Sequence, residues 1–205
     1  MSLLSGSLVR LEPLAAQHCG PLVTAASEQP DLYAWSVVPR SVPAMQAYIH
    51  AALISQEQGH MRPFAIVVQS DNRVVGTTRY YGIERWSWPP GHREHGRPTP
   101  DVCDIGYTWL ARSAMRTGVN TQAKRLLLQY AFETWRVHRV GLRTDARNAP
   151  SRSAIERIGA KLDGCLRCER PATDGAVRDS VVYSIVASEW PAVSELLARL
   201  ERGPR

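Results

Sequence analysis

The stretch Tyr107-Thr108-Trp109-Leu110, then Ala111 to Met115, then Arg116-Thr117-Gly118-Val119-Asn120-Thr121 has the order strand, short loop, helix, and the chemistry this order suits is anion binding. The first turn of a helix leaves backbone N–H groups unpaired, and the helix dipole gathers about half a positive charge there. Gly118 lets the main chain approach a ligand closely, and Arg116, Lys124 and Arg125 add cations on and around the same turn. A pyrophosphate would fit such a place. Neither the nucleotide pattern GxxxxGK[ST] nor the dinucleotide pattern GxGxxG occurs. An ordinary helix start has the same look, so these residues alone leave both readings open.

Other reactive side chains give weaker signals. Cys165 and Cys168 form a lone CxxC with no second pair or HxxxH to complete a tetrahedral metal site, and no metal is expected. His92 and His95 fall in a polar, proline-rich loop and read as solvated. The formal net charge of +6 comes almost wholly from arginine, since lysine occurs only at 124 and 161. No run of five like charges and no alternation of basic with aromatic residues marks a nucleic-acid surface, so no specific nucleic acid is expected. No apolar run reaches the roughly 18 residues that span a bilayer, and Met1 to Arg10 lacks the basic-then-apolar order of a signal peptide. A cytoplasmic protein with no membrane partner is expected.

The elements that must position the loop follow from periodicity. Leu8 to Pro13 alternates as an edge strand, and Ala15 to Glu28 is an imperfect helix holding Gly20 and Pro21. Ser41 caps a helix that runs to Gly59, with Pro43 tolerated in its first turn. Phe64 to Gln69 and Val74 to Tyr81 are strands about a polar turn. Glu84 to Pro100, with Trp86, Trp88 and four prolines, is a long surface loop. Val102 to Leu110 is a strand, Asn120 to Trp135 a helix and Arg139 to Asp145 a strand, a β-α-β unit that implies one parallel pair. A short helix from Ser151 to Ile158, strands Leu162 to Glu169 and Val177 to Val186, and a terminal helix near Ser188 and Pro191 complete the chain. The fold class is α+β in layers, a mixed and mostly antiparallel sheet with helices on both faces. Residues 1–205 read as a single domain.

Taken together and in order, these segments resemble the GNAT superfamily of acetyltransferases, and within it the RimJ/RimL-type branch that acetylates ribosomal-protein N-termini. The resemblance is carried by Leu8-Val9-Arg10-Leu11-Glu12-Pro13-Leu14, Val75-Gly76-Thr77-Thr78-Arg79-Tyr80 and Ile105-Gly106-Tyr107-Thr108-Trp109-Leu110. It continues through Arg116 to Lys124, Asn148 with Ser151 and Arg152, Ile155-Glu156-Arg157-Ile158-Gly159-Ala160, and Arg178 to Ser184. Two departures stand out: Met115 occupies the place of the usual Gln or Arg, and Asn120 that of the second small residue of the loop. Backbone donors from Arg116 to Thr121 do not depend on either side chain. The Trp86 to Pro100 insertion is longer than in the branch, and reads as a lid, as a contact for the acceptor, or as an inert surface loop.

The resemblance implies acetyl-CoA as cofactor and direct attack of a neutral amine on the thioester. It implies that Tyr107, Thr108, Trp109 and Leu110 meet the cofactor arm, with a main-chain N–H near Trp109 facing the thioester oxygen. Met115, Arg116, Thr117, Gly118, Val119, Asn120 and Thr121 would hold the pyrophosphate, with Asn148, Ser151 and Arg152 beside the arm. Ser151 matches a serine that protonates the departing thiolate, or else it opens a helix as its N-cap. Asn148 ties the arm or forms a turn before Pro150. Tyr183 is a second candidate acid with a core-packing alternative. Asp104, Glu169 and Asp179 are the strand carboxylates available as base, Asp104 being placed by alternation on one face with Gly106 and Thr108; a water is the other option. Tyr33, Trp35, Arg79 and Asp179 are expected on the acceptor side. Three functions stay open: a protein or peptide N-terminal acetyltransferase, a small-amine acetyltransferase acting on an amino acid, polyamine or drug, and a non-catalytic acyl-CoA-binding module. A homodimer is expected from the family.

Overall fold

The computed structural model describes residues 3–202. Strands β1 (Leu4–Ser5), β2 (Val9–Pro13), β3 (Arg62–Val68), β4 (Val74–Glu84), β5 (Val102–Leu110), β6 (Arg139–Asp145), β7 (Lys161–Pro171) and β8 (Val177–Val186) form one sheet in the order β1-β2-β3-β4-β5-β6-β8-β7. Every neighbouring pair is antiparallel except β5 with β6. Helices α1 (Cys19–Ser27) and α2 (Val42–Glu57) pack on β3 and β4. On the other face lie α3 (Val119–Gln129), extended by a π-helical turn over Tyr130–Trp135, then α4 (Ala149–Arg157) and α5 (Trp190–Arg202). One continuous apolar core runs from Val9 and Leu11 through Ile105 and Leu127 to Ile185 and Leu197. No helix among the described residues is long and apolar enough to cross a membrane.

Several boundaries differ from the sequence reading, each for a local reason. The strand expected at the edge, β2, is covered by the two-residue β1. The imperfect first helix breaks into a 3₁₀ turn over Ala16–His18 and then α1, whose first turn takes Pro21, a place where a missing N–H costs nothing. The short helix begins at Ala149 rather than Ser151, because Asn148 caps it and Pro150 enters the first turn.

The sheet is split where it matters. β5 and β6 pair only at Val102–Arg139, Cys103–Val140 and Asp104–Gly141. Beyond those three pairs β5 stays with β4 up to Leu110, while β6 stays with β8 up to Asp145. The chain leaves β5 for the Gly118 loop on the open side of this split, and Asn148 stands at the same end of β6.

The long loop after β4 closes the other end. Asp101, fully buried, accepts from the Trp86 amide (2.8 Å) and the Trp88 indole (2.9 Å), and its carbonyl receives the His138 amide (2.7 Å). Arg97 donates to the carbonyls of Trp135 (2.6 Å) and Arg136 (3.0 Å), completing the end of the π-helical turn. Trp86 stacks on His138. The insertion is therefore fastened where β5 and β6 begin, at the end of the sheet away from the Gly118 loop.

Candidate active site

The loop between β5 and α3 has the backbone that an anion site needs. Arg116 (φ 60°) and Gly118 (φ 89°) are both left-handed, and no side chain caps α3. Positive φ at 118 is free for glycine and strained for any other residue, and a Cβ there would also touch Leu8 at 3.5 Å. Met115 turns its side chain onto the core, and the Thr117 hydroxyl donates to the Ala114 carbonyl at 2.7 Å. Asn120 keeps a buried, unpaired Oδ1 in the first turn, an acceptor that a donor on a bound arm would satisfy. The residues present therefore fit an elongated ligand that carries phosphate at one end and amide donors along its length.

Of the three cations placed near this loop by sequence, two point elsewhere. Arg125 binds Glu201 at 2.6 Å. Lys124 turns into the sheet, donating to Thr108 Oγ1 at 2.6 Å and Thr78 Oγ1 at 3.4 Å, and burial pulls its ammonium down to about 7. Arg116 remains at the loop. Gln122, which has no role assigned from sequence, ties the loop side of α3 to the start of β2: its Oε1 accepts from the amides of Leu8 (2.6 Å) and Val9 (2.8 Å).

β5 carries a bulge. Gly106 pairs with Arg79 and Trp109 with Thr77, so Tyr107 and Thr108 together oppose Thr78, and Tyr107 has φ 51°. The extra residue resets the alternation. Thr108 faces Lys124 on α3, whereas Asp104 faces the other side of the sheet and takes Arg143 at 2.8 Å. The expectation that Asp104 and Thr108 share a face fails for this reason. After the bulge the alternation is regular: the Ala111 amide goes to Val75 on β4, so those of Thr108 and Leu110 face the split.

On the α1–α2 side, Tyr33 donates to the Leu110 carbonyl at 2.9 Å and packs edge-on against Trp109. Arg79 lies between the rings of Tyr48 and Tyr107. Arg143 bridges two of the proposed bases, giving one N–H to Asp104 and another to Glu169 at 3.1 Å. Burial would raise Glu169, but hydrogen bonds from Arg170, Ser180 and Arg143 outweigh it and hold the carboxyl at about 2. Asp179 receives the Cys168 amide at 2.8 Å and so serves the β7–β8 hairpin. Cys165 and Cys168 are both exposed and free. A charged residue in the middle of β6 was the one sequence signal for Arg143.

On the opposite face, Asn148 Oδ1 accepts the Ser151 amide at 3.1 Å, which places Ser151 in the first turn of α4 and not at its cap. Tyr183, fully buried, donates to Glu156 at 2.9 Å and receives Arg152 at 3.2 Å. Its hydroxyl is thus engaged by α4.

A family model described as "Acetyltransferase (GNAT) domain" matches residues 9–161. The chain is 37% identical over 87 residues to YdaF of Bacillus subtilis strain 168, provisionally named a ribosomal N-acetyltransferase, an alignment covering 42% of this chain and 46% of that protein. The chain spans about half to two thirds of the length of the curated relatives it matches. A crystal structure of a GCN5-related N-acetyltransferase from Brucella melitensis superposes with TM-score 0.81 at 26% identity, covering 96% of this chain and 84% of that one. Mycobacterium smegmatis RimJ, solved in complex with CoA-disulfide, shares the fold with TM-score 0.76 at 22% identity, covering 96% and 90%.

Proposed function

The chain belongs to the GNAT acetyltransferase family, and on that premise we propose that it transfers the acetyl group of acetyl-CoA to a primary amine, the N-terminus of a protein or peptide. The observation that carries this reading is the uncapped, left-handed entry to α3 standing beside a sheet that opens after three parallel pairs. Acetyl-CoA when bound supplies an activated acyl carbon on a good leaving sulfur. The amine forms the C–N bond as the C–S bond breaks, and one proton passes in net from nitrogen to sulfur.

In this reading, backbone donors from Arg116 to Thr121 hold the pyrophosphate, and the free edge of β5 from Tyr107 to Leu110 receives the arm. Asn148, Ser151 and Arg152 line the arm from the β6 side. Ser151 delivers a proton to the departing sulfur, since its hydroxyl is not used as the helix cap. Glu169, held ionised at about 2, is too weak a base for the amine, and Asp104 is committed to Arg143. The proton from the amine therefore leaves to water. Tyr33 and Trp35 stand at the acceptor entrance; Thr173 donates to the Ala34 carbonyl and so bridges that entrance to the β7–β8 hairpin. A bridged entrance favours a slender chain end, and the ribosomal name of YdaF agrees. Since acetyl-CoA and nascent N-termini meet in the cytoplasm, the protein is placed there.

Calorimetric titration with acetyl-CoA, followed by thiol release on a panel of peptides, amino acids and polyamines, tests the proposal. Turnover with peptides supports it. Turnover with small amines alone replaces the acceptor, tight binding without turnover leaves a sensing module, and no binding removes the reading.

A further inference from the structure

Two buried cations that the proposed reaction has not used meet at the β5 bulge. Lys124, 6% exposed, approaches from the α3 face and holds the Thr108 hydroxyl. Arg79, 4% exposed, approaches from the α1–α2 face, its guanidinium carbon 4.4 Å from the Tyr48 ring centre and 4.6 Å from that of Tyr107. Among the described residues neither makes an ion pair. The partners of Lys124 are two hydroxyls; Arg79 has a sulfur contact to Met61 at 3.7 Å, and its Nε and one terminal nitrogen have no acceptor.

A cation taken out of water without a counter-charge is costly, and proteins keep such groups where a negative charge arrives. Both cations grip the bulge, one holding the Thr108 hydroxyl and the other the ring of Tyr107. The left-handed Tyr107 turns the Tyr107–Thr108 peptide out of the strand's regular course, and the Thr108 amide faces the split. Burial weakens the Lys124 ammonium, as expected where no fixed anion compensates it.

We infer that Arg79 and Lys124 are positioning residues: gripping Tyr107 and Thr108 from opposite faces of the sheet, they lock the β5 bulge and so hold the Thr108 amide, the main-chain donor that the acetyl-transfer reading sets against the thioester oxygen. The inference rests on the acetyl-transfer reading and deepens it. The bulge alone would orient a donor; the uncompensated Arg79 charge, joined by that of Lys124 below about pH 7, adds a field that grows in value as negative charge develops on the oxygen. Because neither cation touches the oxygen, their removal spares cofactor affinity and strikes the polarisation of the carbonyl.

The test needs no acceptor. Acetyl-CoA labelled with carbon-13 at the carbonyl is bound to the wild-type protein and to Lys124→Met, Thr108→Val, Arg79→Met and Arg79→Lys, and the thioester C=O stretch is read by difference infrared spectroscopy. In the wild type the band lies at lower frequency than in free acetyl-CoA. In Lys124→Met, Thr108→Val and Arg79→Met it returns toward the free value, Arg79→Lys keeps most of the shift, and acetyl-CoA Kd stays within about twofold. With an acceptor in hand, kcat falls roughly 10- to 100-fold in the three shifted variants. Thr108→Val is isosteric and carries the test if Lys124→Met does not fold. A band unmoved by any of these substitutions, with acetyl-CoA bound, overturns the inference and leaves the transferase reading intact. Wild-type protein that does not bind acetyl-CoA overturns both.

Discussion

Arg147 lays its guanidinium over the Trp35 indole, 4.7 Å from the ring centre. The same guanidinium binds Asp145 at the end of β6 (2.9 Å) and Asp174 in the β7–β8 turn (2.8 Å). One arginine thus fastens three segments that are far apart in sequence, on the side proposed to receive the acceptor.

Trp35→Ala removes one leg of that fastening. A partly exposed cation–π contact is worth about 0.5–1 kcal/mol, so the acceptor KM rises a few-fold while acetyl-CoA affinity is unchanged. Steady-state kinetics over both substrates check this; a change confined to acetyl-CoA would put Trp35 on the wrong side of the sheet.

Gly118→Glu sets a carboxylate beside the proposed phosphate site and forces a left-handed backbone on a side chain. Affinity for acetyl-CoA should drop at least about tenfold. Gly118→Ala separates the two causes, carrying only the strain, roughly 1–2 kcal/mol. Unchanged acetyl-CoA affinity in a folded Gly118→Glu protein would displace the phosphates from this loop.

Gly141→Ala should destabilise the fold. A Cβ on Gly141 would come within 2.1 Å of Asp104 Oδ1, whose partner oxygen Oδ2 takes Arg143. Overpacking of this kind costs about 1–3 kcal/mol. Chemical denaturation should show the loss, with most of it recovered in Gly141→Ala combined with Asp104→Ala; no recovery would mean that the collision lies elsewhere.

Lys124 gives stability a pH dependence of definite sign. Its folded value, about 7, lies below the ordinary lysine range, so between the two the unfolded chain holds a proton that the folded chain lacks. Stability therefore rises as pH climbs from about 7 toward 10, by ~1.4 kcal/mol per pH unit at most. Melting curves of wild type against Lys124→Met should converge as pH rises, the variant being the more stable near pH 6.5. Parallel curves would mean that the amine is hydrated.

The strand-loop-helix unit was legible because its marks are local: apolar alternation to Leu110, a glycine at the turn and a helical period after it. Asn148 and Pro150 also spoke for themselves, although the cap fell on Asn148 and moved the helix start. The bulge was not legible. A tyrosine at positive φ leaves no compositional trace, and one inserted residue inverts which side chains share a face, which separated Asp104 from Thr108. Lys124 was misplaced because its distance from Gly118 says it is near the loop but not which way it leans. The insertion after β4 looked unattached in sequence, since its anchor, Asp101, is a single residue whose carboxylate takes partners at 86 and 88 and whose carbonyl takes one at 138.

The seam between β5 and β6 is three residue pairs long. Two sheets' worth of structure, five strands on one side and three on the other, are stitched together over a span of about 10 Å. An arm threaded along the free margin of β5 would act as mortar, supplying rungs that the polypeptide leaves out. Occupancy should then be felt as stiffness far from any contact, with amide exchange slowing in both wings of the molecule at once.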